Sequence, residues 1–200
     1  MCEGQGRLPS SAHTSRAWRI HEITADFRVE DVWALPVRGG RSDFAALVKG
    51  IAAGDPSRSS RLARALWTIR WKAGELLGWD EAKSGLEGRV PTLRKRLAAD
   101  LLEAPGPGFE ALPFTSLYLI DDEFAAEMAN HTMHGVIHLG WVAEGTGYRG
   151  QMAVLVKPNG LLGTAYMAAI RPFRHLIVYP AMMRQLERES AEALRTRSVE

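Results

Sequence analysis

The sequence predicts an α+β domain in which a curved antiparallel β-sheet closes around one long C-terminal α-helix. Three observations predict it. Residues 115–157 alternate between apolar and polar side chains and are punctuated by turn sequences, the mark of consecutive antiparallel strands. Residues 160–195 lose that alternation and read as helix. The helical patterns of the first half stand apart from the strands instead of interleaving with them, which argues against a parallel doubly wound sheet.

Size and composition fit a single domain. The chain has 200 residues, 46% hydrophobic and 24% charged, so it can bury a core without covalent cross-links. Cys2 is the only cysteine, which leaves no intramolecular disulfide and no cysteine zinc site. Twenty-five Lys and Arg against 23 Asp and Glu give a net charge of +2, too balanced for an obligate nucleic-acid binder. Residues 1–15 are small, polar and rich in Ser, Pro and Gly, and contain no apolar run that would serve as a secretion signal. They are expected to be a disordered tail, residues 16–195 the domain, and residues 196–200 a frayed end. The apolar stretch from Leu161 to Met183 is broken by Arg171, Arg174, His175, Pro172 and Pro180, so no membrane insertion is expected and the expected location is the cytoplasm.

The elements follow in order. Residues 17–21 alternate as a short strand, and Glu30-Asp31 would open a helical turn running to Trp33, ended by Pro36 and Gly39-Gly40. Phe44, Leu47, Val48 and Ile51 share one helical face that Gly54-Asp55-Pro56 terminates. Leu62, Leu66, Trp67, Ile69 and Trp71 form a broader stripe before Gly78, the first long helix. Residues 93–102 suit a short helix, and Pro105-Gly106-Pro107-Gly108 a stiff loop. Residues 115–120 and 123–129 read as strands joined at Asp121-Asp122, with a helix over 123–129 as the alternative. Residues 132–143 and 148–157 are strands joined by a Gly-containing hairpin loop at 144–147. Pro158-Asn159-Gly160 turns into the last helix, which Pro172 and Pro180 must kink or restart.

Period-two alternation assigns faces. Met133, Gly135, Ile137, Leu139 and Trp141 share one side, with Met152, Val154 and Val156 opposite on the paired strand. That side is bulkier and is expected to face inward, which sends His134 and His138 outward to solvent or a partner subunit. Their four-residue separation on a strand spans roughly 13 Å, too far for one metal ion, so no metal site and no cofactor are expected. Glu123 and Glu127 also share a face, expected to be solvated. The basic runs Arg58, Arg61, Arg64, Arg70, Lys72 and Arg89, Arg94, Lys95, Arg96 read as solvated faces.

Two stretches carry a family resemblance. The first is Asp121-Asp122-Glu123 followed by Asn130-His131-Thr132-Met133-His134-Gly135-Val136-Ile137-His138. The second sets Gly163, Tyr166, Pro172 and Phe173 in a Gly-x-x-Tyr-x-x-x-x-x-Pro-Phe pattern. With Asp26-Phe27 and Asp31-Val32-Trp33, these resemble an uncharacterised bacterial family of unknown function, similar in turn to the helix-grip superfamily of polyketide cyclases, START domains and birch-pollen-allergen-like proteins. The resemblance covers roughly residues 16–188. It implies a helix-grip fold with a cavity between sheet and C-terminal helix, and an apolar ligand of lipid, sterol or polyketide type. It carries over no catalytic set.

The cavity so implied would be lined from the sheet by Met133, Ile137, Leu139, Trp141, Met152 and Val154. Tyr166, Ile170, Phe173 and Ile177 recur at three- and four-residue steps and would line it from the helix, with Trp33 and Trp67 as aromatic wall. Gly163 leaves room for close backbone approach. Binding of a hydrophobic small molecule is the leading expectation. The alternatives are a small cyclase, hydrolase or isomerase using Tyr166, His175 or Glu127, and an interaction module that dimerises through the His134/His138 face.

Overall fold

The computed structural model describes residues 6–54, 86, 88 and 90–197. Within them a six-stranded, wholly antiparallel sheet runs in the order β1-β2-β6-β5-β4-β3. The strands are β1 (Gly6–Leu8), β2 (Arg28–Gly39), β3 (Thr115–Leu119), β4 (Glu123–Ala129), β5 (Met133–Glu144) and β6 (Gly147–Pro158). The sheet is curved, and the C-terminal helix lies against it in a helix-grip-like α+β arrangement. The long β5–β6 hairpin is in register from Met133↔Pro158 to Glu144↔Gly147. Gly145 closes it at φ +61°, a left-handed conformation that glycine takes without steric cost.

Both faces of the sheet are covered. One face carries Val32, Val136, Val142, Ala153 and Leu155, and is roofed by Trp18, Ile20, Ile23, Leu93, Leu97 and Leu101. Those roof residues come from short helical pieces: α1 (Ser11–Thr14), α2 (Ile20–Ile23), a 3₁₀ turn at Leu93–Arg96 and α4 (Ala99–Leu102). The other face carries Leu35, Leu139, Trp141 and Met152, and is covered by α3 (Phe44–Ala53), by Phe109 and Phe114, and by the C-terminal helix. That helix runs as α5 (Gly160–Phe173), a π-helical turn (Arg174–Val178) and α6 (Tyr179–Arg197). Its N-terminus is fixed to the β4–β5 turn. The Thr132 carbonyl accepts a hydrogen bond from the Asn159 amide at 2.8 Å, and the Asn159 side chain donates to the Asn130 carbonyl at 2.9 Å.

The structure corrects several expectations. Residues 6–14, read as tail, instead supply β1 and α1, and His13 is wholly buried. Residues 17–21 form no strand; Trp18 and Ile20 are core anchors around the α2 turn. Residues 30–33 are not a helical turn but part of β2, which pairs with β6 and so sits inside the sheet. The expected helix over 93–102 is split into the 3₁₀ turn and α4 by extended backbone at Leu97 and Ala98. The stripe around Trp67 and the basic run 58–72 lie outside the described residues.

Most consequential is the solvent face that does not exist. His134 and His138 are 3% and 1% exposed, and Glu123 and Glu127 are 2% and 0% exposed. Alternation correctly separates these four from Ile137, Leu139 and Trp141. What it cannot reveal is the second roof, built from a polar-looking N-terminal segment with scattered apolar anchors.

Candidate functional site

Polar side chains are buried on both faces of the sheet, and they do different work. On the face roofed by the N-terminal segment, Glu123 and Glu127 project from β4 toward β5. The Glu127 carboxylate accepts from His134 Nε2 at 2.7 Å, from the Leu93 amide at 3.0 Å and from the Thr92 hydroxyl. The Glu123 carboxylate accepts from His138 Nε2 at 3.1 Å, from Tyr118 Oη at 2.7 Å, and from the amides of Arg19 at 2.7 Å and Ile20 at 3.0 Å. Each glutamate therefore caps the start of a helical turn from a distant part of the chain, satisfying amides that would otherwise be orphaned.

The tautomers follow from these bonds. Burial lowers the His138 pKa against the opposing pull of Glu123, so the imidazole is neutral and donates its Nε2–H to the Glu123 carboxylate. Its Nδ1 then accepts from His13 Nε2–H at 3.2 Å. Burial, helped by His138 and His21, holds His13 down to about 3. Burial pushes the Glu123 carboxyl up, but its hydrogen bonds from His138, Tyr118 and Arg19 outweigh that and leave it below its usual value. Every oxygen of the two carboxylates is engaged within the protein. This network ties the roof to the sheet, and the enzymatic reading of Glu127 has no access to a substrate there.

The other polar cluster lies in the seam between β2 and the C-terminal helix. The Asp31 side chain is completely buried, and its oxygens accept from His175 Nε2 at 2.7 Å and Tyr179 Oη at 2.9 Å. Arg174 reaches Glu30 at 3.0 Å and Asp31 at 3.5 Å, and Arg7 approaches Asp31 at 3.7 Å. Two irregularities build this cluster. A β-bulge between Val29 and Asp31 inserts one residue, so Val29 faces one roof while Asp31 joins Trp33 and Leu35 on the other. On the helix, Pro172 lacks the amide that would bond back one turn, and the π-turn that follows carries Arg174 and His175. Burial, with Asp31 beside it, raises Tyr179 far above the usual phenol range, so it stays protonated and donates. His175 remains 20% exposed at the side chain and is reachable from solvent.

Trp33 stands at this cluster, its ring 4.9 Å from Tyr179 and 6.3 Å from His175. Leu139, Trp141 and Met152 are buried on the same side of the sheet; Trp141 packs on Phe44 and donates its indole N–H to the Gly40 carbonyl. Ile137 and Val154, directly paired across the two central strands, are only partly buried. Met133 is also partly buried, at the start of β5. From the helix, Tyr166, Ile170 and Ile177 are partly buried, whereas Phe173 is 52% exposed and points mainly to solvent. The buried positions of α5 are Gly163 and Met167, one residue round from the apolar stripe at Tyr166, Ile170 and Phe173. The helix turns its polar Arg174 and His175 toward β2 to meet Glu30 and Asp31, and Phe173 is displaced outward. Trp67 lies outside the described residues.

Sequence reasoning named His175 but missed Asp31, Arg174 and Tyr179. A signal was present: two consecutive acids inside an otherwise apolar stretch, Val29-Glu30-Asp31-Val32-Trp33, and a His-Tyr pair four residues apart on one helix face. Among the described residues no group of three or more His, Cys, Asp or Glu is placed to hold a metal ion, and no helix is long and apolar enough to cross a membrane.

Fold and seam together define an α+β protein of helix-over-sheet type with a polar cluster buried under its C-terminal helix. The chain belongs to the family described as protein of unknown function DUF2867, whose model matches residues 23–181 and so spans both Asp31 and the His175–Tyr179 pair. No curated protein and no solved structure matches the chain significantly.

Proposed function

We propose that this protein binds an apolar small molecule in the seam between the sheet and the C-terminal helix. One observation carries the reading. Ile137 and Val154 pair at the middle of β5 and β6, the two central strands, yet both stay partly open to solvent on the helix side, while Val136, His138, Ala153 and Leu155 on the opposite side are buried. A central apolar floor left incompletely roofed, next to the partly buried Trp33, Met182 and Met183, is the kind of surface an apolar ligand covers favourably.

A fluorescence titration with aminoanthracene, a neutral polarity-sensitive probe, tests it. Saturable binding is expected, and Ile137→Trp, which fills the floor, should abolish it without unfolding the protein. Absence of saturable binding, or binding untouched by Ile137→Trp, overturns the reading.

A second reading draws on the His175–Asp31 pair. With Nε2–H donated to Asp31, Nδ1 of a partly exposed imidazole carries the lone pair, the arrangement of a general base. Turnover of a bound ketone or ester that is lost in His175→Ala would favour an enzyme over a carrier.

A further inference from the structure

Two hydrogen-bond donors in the seam are buried and unpaired. The indole N–H of Trp33 and the Nε–H of Arg174 are shielded from solvent and have no acceptor among the described residues. Both belong to the cluster around Asp31. The Trp33 ring lies 4.9 Å from that of Tyr179, whose hydroxyl donates to Asp31, and the Arg174 guanidinium reaches the same carboxylate oxygen at 3.5 Å. Leaving a buried donor unmatched is costly, and native proteins rarely do so without a reason.

The chemistry of the unpaired groups selects the partner. Both are donors, so the missing group is an acceptor. Both Asp31 oxygens are already occupied by His175 and Tyr179, which leaves no counter-charge there for a ligand ammonium. An anionic headgroup would be set against the buried Asp31 and partly buried Glu30 carboxylates, whose charge already engages Arg174, Arg28 and Arg7. A neutral carbonyl oxygen has two lone pairs for two donors and adds no charge.

We propose that the ligand of this seam carries a neutral carbonyl, as a ketone, ester or lactone, whose oxygen accepts hydrogen bonds from Trp33 Nε1 and Arg174 Nε while its apolar body covers Ile137 and Val154. This rests on the seam-binding reading and adds the polar end of the ligand. The bulge at Glu30 sets Asp31 on the face of Trp33, and the π-turn at Arg174–Val178 carries the Arg174 that reaches Asp31; such distortions recur where a side chain must be aimed at a site.

The test uses two neutral fluorescent probes on the full chain, a dimethylaminonaphthalene bearing a propionyl ketone and the same dimethylaminonaphthalene without it. The ketone should bind wild-type protein roughly three- to tenfold more tightly, the increment expected of one or two net hydrogen bonds. Trp33→Phe, which keeps an aromatic ring but removes the indole N–H, should reduce the ketone's advantage over its parent and shift its emission to the blue. The parent registers whatever the smaller ring costs in apolar contact, so the ratio of the two affinities is the readout of the N–H. Arg174→Lys, which keeps the charge and removes Nε, should act in the same direction. Thermal melts establish that each variant is folded. Equal affinity of the two probes for wild-type protein overturns the carbonyl site while leaving the seam intact, as does a ketone preference that survives both substitutions. Failure of both probes to bind overturns both.

Discussion

Glu127 of β4 and His134 of β5 meet at 2.7 Å with both side chains buried, and four residues along the same antiparallel register Glu123 and His138 repeat the contact at 3.1 Å. Each pair is diagonal across the two strands, within reach of long side chains. Each glutamate also receives amides from a separate roof segment, so two strand carboxylates hold down two helical turns that Arg96 further links by donating to the Ile23 carbonyl at 2.9 Å.

Truncating Glu127 should therefore cost far more than one hydrogen bond. Glu127→Ala leaves the Leu93 amide, the Thr92 hydroxyl and His134 without their acceptor in a dry interior. The expected loss is about 3–5 kcal/mol in urea unfolding, since each of three stranded buried donors costs about 1–3 kcal/mol. Adding His134→Ala to it should cost less than the two single losses together, because the stranded imidazole is then gone. A Glu127→Ala loss below about 1 kcal/mol would contradict the tethering role.

The His13 imidazole gives the fold an acid sensitivity of defined sign. Its pKa is about 3 in the folded chain against 6.5 for the free side chain, so between those values the unfolded chain binds a proton that the folded one refuses. The corresponding stability is fully present above pH 6.5 and is lost as pH falls, at up to about 1.4 kcal/mol per pH unit. His138, also lowered by burial, acts in the same direction. Glu123, held below its usual 4.5, contributes only at lower pH, and Asp122, raised by burial and by Glu123, works against the histidines as pH falls. Urea midpoints should fall between about pH 7 and pH 5, and His13→Phe should flatten that fall. An unchanged slope in the variant would remove His13 from the account.

How far these features could be read in advance depended on how regular the local pattern was. The β5–β6 hairpin was legible because its alternation is unbroken and Gly145 marks its turn. The matched four-residue spacing of Glu123/Glu127 and His134/His138 was equally visible, but a face rich in charge and imidazole resembles a solvated one until the roof over it is known. That roof hangs on His13, Trp18, Ile20 and Ile23, anchors without period in a Ser- and Pro-containing segment. Asp31 was hidden by the bulge at Glu30, which breaks the alternation on which face assignment depends. The face of the last helix was misjudged by about one residue because its apolar stripe through Phe173 is not the side held to the sheet; the Arg174 and His175 ion pairs lie beside that stripe.

That rotation makes a quantitative prediction. Phe173 at 52% exposure should lose less than about 1 kcal/mol on replacement by Ala, well short of the roughly 3–5 kcal/mol expected of a buried phenylalanine. Met167, 1% exposed and one helical turn after Gly163, should lose about 2–5 kcal/mol as Met167→Ala. Comparing the two variants by urea unfolding reads the helix face directly, and a larger loss at Phe173 would reverse the assignment.

Two helical glycines should respond in opposite directions to the same substitution. Gly50 lies within α3, and a Cβ added there meets nothing within 4 Å. Gly50→Ala should stabilise the protein by about 0.5–1 kcal/mol, since alanine restricts the unfolded chain and favours helix. Gly163 lies within α5, and a Cβ there would stand 2.0 Å from the Thr132 carbonyl oxygen. That oxygen is backbone and already accepts the Asn159 amide at 2.8 Å, so it cannot swing aside as a flexible side chain would. The start of the helix would have to lift from the β4–β5 turn, disturbing the Asn159–Asn130 bond with it. The clash should outweigh the helix propensity gained, and Gly163→Ala is expected to destabilise by at least about 2 kcal/mol. Paired melting curves decide it. A gain in stability at Gly163 comparable to that at Gly50 would show that the helix does not dock on Thr132 through this glycine.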